Sequence, residues 1–173
     1  MTKALIVIDV QKAMFEAAQP HDGEGTVARI ASLIARARAG GVPVFFVQHD
    51  GGPDGPFHEG KPGFAFHDAI APKPGDDVTV KNHGSAFSRT GLDAKLKRAG
   101  ADTLVICGMQ SEYCVDSAVR GAAERGYKVV LAADGHSTFD SPVLAAPVII
   151  AHENETLRGS YATVTPAAGI AFG

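Results

Sequence analysis

The sequence predicts an α/β protein, a doubly wound and mainly parallel six-stranded sheet between two layers of helices, giving a three-layer α/β/α arrangement. Three observations lead there. Apolar runs at 4–8, 42–47, 103–107 and 129–132 are continuous rather than alternating, as strands buried on both faces tend to be. Amphipathic helical segments separate these runs, so strand and helix alternate from end to end. The 173 residues, 45% hydrophobic and 20% charged, suit one domain over residues 1–173 whose core needs no disulfide.

The first strand, Ala4 to Ile8, stops at Asp9. Thr26 to Ala39 reads as a helix because Val27, Ile30, Leu33, Ile34 and Ala37 recur on one face. Val42 to Val47 is the second strand. The stretch from Asp50 to Asp77 is dense in proline and glycine yet carries Phe57, Phe64 and Phe66, which favours a lid or pocket wall over a disordered insertion. Val78 to Val80 is a weaker strand, and Leu92 to Ala99 a helix stopped by Gly100. Thr103 to Cys107 is a strand, followed by a helix over Tyr113 to Arg125 that ends at Gly126. Val129 to Ala132 is the next strand. Pro142 to Leu157 reads as a helix with proline in its first turn, and Ala162 to Val164 as a weak sixth strand.

Bulk properties exclude several classes. A net charge of −3, with Lys and Arg scattered, offers no stripe for nucleic acid or an anionic membrane. The apolar run before Asp9 is too short for a signal-peptide core or a membrane span, so the cytoplasm is the expected location. Cys107 and Cys114 have neither disulfide-framework nor zinc-knuckle spacing, which fits a reducing compartment.

In a sheet of this kind ligands bind beyond the strand C-termini. Asp9 ends the first strand, Lys81 ends the weak strand Val78 to Val80, and Cys114 lies just past the strand ending at Cys107. A carboxylate, an ammonium and a thiol are the set that thiol-based acyl transfer needs. Ser111 reads as an N-cap with Cys114 at the third helical position, where the helix dipole and Lys81 favour a thiolate. Asp9 can accept the thiol proton, and the N–H groups between Gln110 and Cys114 can serve an oxyanion. Taken singly, Asp9 can be a helix-capping residue, Lys81 a solvated lysine and Cys114 a packing residue; their convergence carries the reading. Cys107, inside an apolar strand, is expected to be buried and inert.

Three segments resemble the isochorismatase-like cysteine hydrolases, in their nicotinamidase-related and streptothricin-hydrolase-like subgroup: Leu5 to Gln11 with Phe15, Val80-Lys81 with Ser85-Ala86-Phe87 and Thr90-Gly91-Leu92, and Cys107 to Ser117. The tail Ile149 to Asn154 is similar as well. The resemblance implies Asp9, Lys81 and Cys114 as a catalytic triad, and a cis peptide between Met109 and Gln110 that aims the Gln110 and Cys114 N–H groups at the oxyanion. It implies a small-molecule substrate and a homo-oligomer, for which the apolar helix Pro142 to Leu157 is the candidate surface. Gln11, Phe15, Phe57, Phe64, Phe87 and Tyr113 are candidate substrate contacts.

Two departures narrow the expectation. Metal-dependent nicotinamidases carry Asp-x-His after the second strand, whereas this chain reads Val47-Gln48-His49-Asp50. His49, His58 and His67 lack metal-ligand spacing, so no cofactor is expected and nicotinamide is disfavoured as substrate. Isochorismatases proper cleave a vinyl ether without the cysteine, so Cys114 points to C–N hydrolysis; action on another bond, or a relative that only binds a ligand or partner, is the alternative. Cys114 to Arg120 also fits the Cys-x5-Arg phosphatase spacing, but Asp116 would set a negative charge inside the phosphate cradle and no glycine lies between. A haloacid-dehalogenase reading fails at Gln11, where a second carboxylate is needed.

Overall fold

The computed structural model describes residues 2–173. Six strands, β1 (Lys3–Ile8), β2 (Val44–His49), β3 (Asp77–Lys81), β4 (Thr103–Met109), β5 (Lys128–Ser137) and β6 (Thr163–Thr165), form one sheet in the order β3-β2-β1-β4-β5-β6. Every neighbouring pair is parallel. The helices are α1 (Ala13–Glu16), α2 (Gly23–Ala39), α3 (Leu92–Arg98), α4 (Asp116–Ala123) and α5 (Ala146–Leu157).

The continuous apolar strands are explained by two core clusters, one on each face. Successive residues of a strand point to opposite faces. Leu5 and Val7 of β1 therefore join Val27, Ile30, Leu33, Ile34 and Ala37 of α2, while Ala4, Ile6 and Ile8 join Leu92 and Leu96 of α3 and Ala118, Val119 and Ala122 of α4. A polar residue on either face of β1 would be stranded without water.

The order runs outward from β1 in both directions, so the chain reverses its winding between β1 and β4, and the crevice forms beyond those two strand ends. Gly108, one residue before the end of β4, permits the close approach there. It has φ of +130°, and a Cβ on it would lie 2.1 Å from the Ile8 carbonyl oxygen.

Several element bounds differ from the sequence expectation for local reasons. Helix α2 begins at Gly23 rather than Thr26, with Arg29 reaching back to the Asp22 carboxylate at 2.6 Å. The helix expected over Tyr113 to Arg125 is instead a π-helical turn, Ser111–Val115, continuing into α4. Helix α5 starts at Ala146, not Pro142: the Ser141 hydroxyl accepts the Val143 and Leu144 N–H groups in a turn, and Asp140 accepts the Ala146 N–H at 2.8 Å. Proline does stand in the first turn of α5, but it is Pro147. Helix α1 had no sequence signal.

The long segment between β2 and β3 is pinned rather than free. The Phe64 carbonyl accepts hydrogen bonds from Gln11 Nε2 at 2.8 Å and Gln48 Nε2 at 2.7 Å. Phe66 drops into the core edge-on to Phe46, with ring centroids 5.5 Å apart.

Candidate active site

Three strand ends deliver the reactive side chains. Asp9 immediately follows β1 with φ of +51°, a left-handed conformation unusual outside glycine and held here by the Asp9 N–H bond to the Val47 carbonyl. Lys81 is the last residue of β3, paired in register with His49 at the end of β2. Cys114 sits in the π-helical turn that follows β4, a local form often kept for functional positions.

The three side chains meet. Lys81 Nζ lies 2.7 Å from Asp9 Oδ2, both side chains being wholly buried. The same ammonium donates to Cys114 Sγ at 3.2 Å and to the His83 carbonyl at 3.0 Å, and lies 3.4 Å from His49 Nδ1. The Asp9–Lys81 contact is a close ion pair that leaves carboxylate lone pairs for a proton. The thiol is within hydrogen-bonding reach of that carboxylate.

The electrostatics correct one sequence expectation. Instead of ionising early, the Cys114 thiol is pushed up to about 12. Burial of the sulfur is the largest cause and the neighbouring Asp9 charge adds to it, together outweighing Lys81. Asp9 is raised from the usual carboxylate range by burial, against the pull of Lys81. With the carboxylate and sulfur next to each other and one cation between them, the pair holds one proton at neutral pH, and losing it would leave two anions against one cation. Cys107 differs. It is fully buried in β4, packs in the α2-side core with its sulfur donating to the Ile6 carbonyl, and its thiol is pushed above its ordinary range by desolvation alone.

The peptide between Met109 and Gln110 is cis. The Gln110 carbonyl accepts from the Tyr113 and Val115 N–H groups, passing over the N–H of Cys114 between them. Ser111 does not cap this turn as its position suggested; its hydroxyl is turned inward to His136 at 2.8 Å.

A cleft of about 320 Å³ opens over the sulfur, lined by Asp9, Met14, His49, Phe57, Gly84, Gln110, Tyr113 and Cys114. Of the six proposed substrate contacts it therefore contains Phe57 and Tyr113. The other four lie outside its lining. Gln11 is fully buried and braces the loop, its Oε1 accepting the His49 N–H and its Nε2 donating to the His49 and Phe64 carbonyls. Phe15 packs against the α2-side core with its ring 4.8 Å from His67. Phe64 contributes its carbonyl as the anchor just described. Phe87 is buried, stacked on Tyr127 under the Arg125 guanidinium. Met14 and Gly84 were missed as cleft residues and carried no signal, whereas His49 lines the cleft as a polar residue at the end of β2.

The three histidines His49, His58 and His67 have separate partners. His49 faces Lys81, His58 Nδ1 lies 3.0 Å from Asp50 Oδ1, and His67 Nδ1 accepts the Ala69 N–H. Among the described residues no three His, Cys, Asp or Glu side chains converge as metal ligands. Arg120 is likewise committed elsewhere, to Asp116 at 2.7 Å and over the Tyr161 ring, which removes the phosphatase spacing from consideration.

Among the described residues no helix is long and apolar enough to cross a membrane. The isochorismatase domain model matches residues 3–149. A streptothricin hydrolase of Streptomyces noursei is 39% identical over 148 residues, covering 85% of this chain and 53% of that protein, so the chain spans about half its length. A ureidoacrylate amidohydrolase of Methylobacterium radiotolerans is 33% identical over 170 residues, covering 77% of this chain and 66% of its own. The crystal structure of an isochorismatase from Pseudomonas putida superposes with a TM-score of 0.91 at 30% identity, over 97% of this chain and 89% of that one. The chain belongs to the isochorismatase family.

Proposed function

We propose that the protein hydrolyses a C–N bond of a small molecule (an amide, lactam or carbamoyl group) through a thioester on Cys114. The observation that carries the reading is the contact of one buried ammonium with both a carboxylate at 2.7 Å and a cysteine sulfur at 3.2 Å, under an open cleft. The similarity to a ureidoacrylate amidohydrolase supports the bond type.

In the proposed cycle Asp9 takes the thiol proton as the sulfur attacks the carbonyl carbon, and Lys81 offsets the charge shifting between them. The oxyanion accepts the N–H groups of Gln110 and Cys114. The tetrahedral intermediate collapses, the C–N bond breaks, and Asp9 returns the proton to the departing amine or ammonia. Water then attacks the thioester as Asp9 takes one of its protons; the C–S bond breaks, and that proton returns to sulfur. Phe57, Tyr113 and Met14 offer apolar walls for the acyl part. No step needs a metal or cofactor.

An ammonia-release screen over small amides, lactams and carbamoyl compounds, with Cys114→Ala as blank, tests the reading. Turnover that survives in the blank sinks it. Two further expectations belong to the same proposal. Free Cys107 and Cys114 suit the reducing cytoplasm. Exposed Val143, Leu144 and Val148 around the start of α5 support self-association, which a light-scattering mass of one subunit would remove.

A further inference from the structure

Beneath the nucleophile turn lies a buried polar chain that the proposed cycle does not use. Ser111 and His136 are 0% and 2% exposed. Ser111 Oγ lies 2.8 Å from His136 Nδ1, His136 Nε2 lies 3.2 Å from Asn154 Oδ1, and Asn154 Nδ2 donates to the Ala133 carbonyl at 2.9 Å. The chain ties the π-helical turn to β5 and α5.

Its direction is fixed from the far end. The Ala133 carbonyl only accepts, so the amide nitrogen of Asn154 faces it and the amide oxygen faces His136. That oxygen also only accepts, so His136 carries its hydrogen on Nε2. Nδ1 of the neutral ring is then an acceptor, and the Ser111 hydroxyl hydrogen is committed to it. Burial favours this neutral ring. Ser111 in turn opens the segment Ser111–Val115, directly after Gln110, and its carbonyl accepts the Asp116 N–H that continues the helix.

We infer that His136, acting through Ser111 and anchored by Asn154, is a positioning residue for the oxyanion turn, holding the Gln110 and Cys114 N–H groups at their working separation. The inference rests on the cysteine-hydrolase reading. Buried polar side chains are a costly way to fill space that apolar ones would fill as well, unless a direction must be kept. Here the direction kept is that of Ser111, the first of the three residues between the two donors. A chain that served the fold alone would tolerate any replacement that preserved packing.

The test separates two reactions of one sulfur. Acylation by p-nitrophenyl acetate forms a C–S bond, passes through an oxyanion and expels p-nitrophenolate. Alkylation by iodoacetamide forms a C–S bond and expels iodide with no oxyanion. Ser111→Ala and His136→Phe are expected to acylate at least about tenfold more slowly while alkylating within about twofold of wild type, since only the first reaction needs oriented donors. His136→Gln keeps an acceptor toward Ser111 and a donor toward Asn154, and should acylate within about threefold of wild type. Ser111→Ala acylating at the wild-type rate, or both reactions slowing together as the melting temperature falls, overturns the inference; so does His136→Gln behaving like His136→Phe. If His136→Phe does not fold, Ser111→Ala and His136→Gln still decide. Cys114→Ala is the control that keeps the two levels apart. Wild-type acylation in that variant overturns the nucleophile reading itself, whereas a silent Cys114→Ala beside an unimpaired Ser111→Ala overturns only the positioning role.

Discussion

Asp9→Asn is the perturbation that most directly tests how the three groups are coupled. Asparagine keeps the shape of the side chain but removes its charge and its capacity to carry a proton. Lys81 then faces the sulfur alone at 3.2 Å. At an effective dielectric of about 20, two unit charges at that separation attract by about 5 kcal/mol, or roughly 4 pKa units. In the wild type the Asp9 carboxylate opposes that attraction, and burial carries the thiol up to about 12. Without the carboxylate that opposition is gone while the burial remains, so the thiol should ionise at lower pH, by no more than the roughly 4 units one full charge is worth at this range. The variant should therefore have a more ionisable cysteine and a poorer enzyme, because nothing returns a proton to the leaving amine; turnover should drop about 10²–10⁴-fold. The assay is the rate of iodoacetamide modification at Cys114 between about pH 6 and pH 10.5, located by mass spectrometry, a range set to bracket the shifted thiol. Wild type should show no inflection in that range, and Asp9→Asn a clear one. Buried Cys107 should stay silent in both. An Asp9→Asn profile identical to wild type, or a variant that turns over at the wild-type rate, would refute the coupling.

Lys81→Met leaves the Asp9 carboxyl buried with no cation. Breaking such a pair should cost about 3–5 kcal/mol in urea unfolding at pH 8, with much of the loss recovered in the Asp9→Asn/Lys81→Met double variant. Phe57→Ala, at the cleft wall, should raise KM with kcat nearly unchanged, whereas Phe87→Ala, in the core under Arg125, should lower stability by about 3–5 kcal/mol with KM unchanged. Steady-state kinetics and thermal melts of the two variants check the contrast. His136 has a depressed pKa in the folded protein, so as pH falls below the unfolded value of about 6.5 the unfolded chain takes a proton that the native ring refuses. Wild type should lose stability relative to His136→Gln between about pH 7 and pH 5, and denaturant midpoints that stay parallel across that window would count against a buried neutral ring.

What was legible in the sequence followed from burial periodicity and from strand ends. Ala4 to Ile8 and Thr103 to Cys107 read as central strands because both faces of each are covered, and the reversal of winding between them set the crevice where Asp9 and Cys114 stand. The remainder depends on contacts that have no local signature. The turn at Ser111 is held by His136 and Asn154, which lie 25 and 43 positions further on, and its π-helical form follows no propensity. The loop anchor is the backbone carbonyl of Phe64, a group every residue possesses. Phe87 looked like a loop aromatic until Tyr127 and Arg125 closed over it. The thiol was misjudged because helix start and lysine are visible in a sequence, whereas burial of the sulfur is a property of the assembled fold.

The arrangement of charges gives a reason for the third member of the proposed triad. A carboxylate as deeply buried as Asp9 would neutralise itself if left alone, and a neutral acid is no base. Lys81, at 2.7 Å, keeps the carboxylate available while adding the one positive charge that makes the whole set neutral. In the proposed cycle that sum does not change. Thiol, carboxylate and ammonium total zero; so do oxyanion, carboxylic acid and ammonium once the sulfur has attacked; so do thioester, carboxylate and ammonium once the amine has left with its proton. Each step moves charge by a few ångströms inside a set that stays neutral, and the low-dielectric site never has to accept a net ion. A site with the cation removed would become anionic at the oxyanion stage or lose its base at the start. Either outcome raises the barrier, so the proposed cycle requires Lys81 although the lysine forms no bond to the substrate.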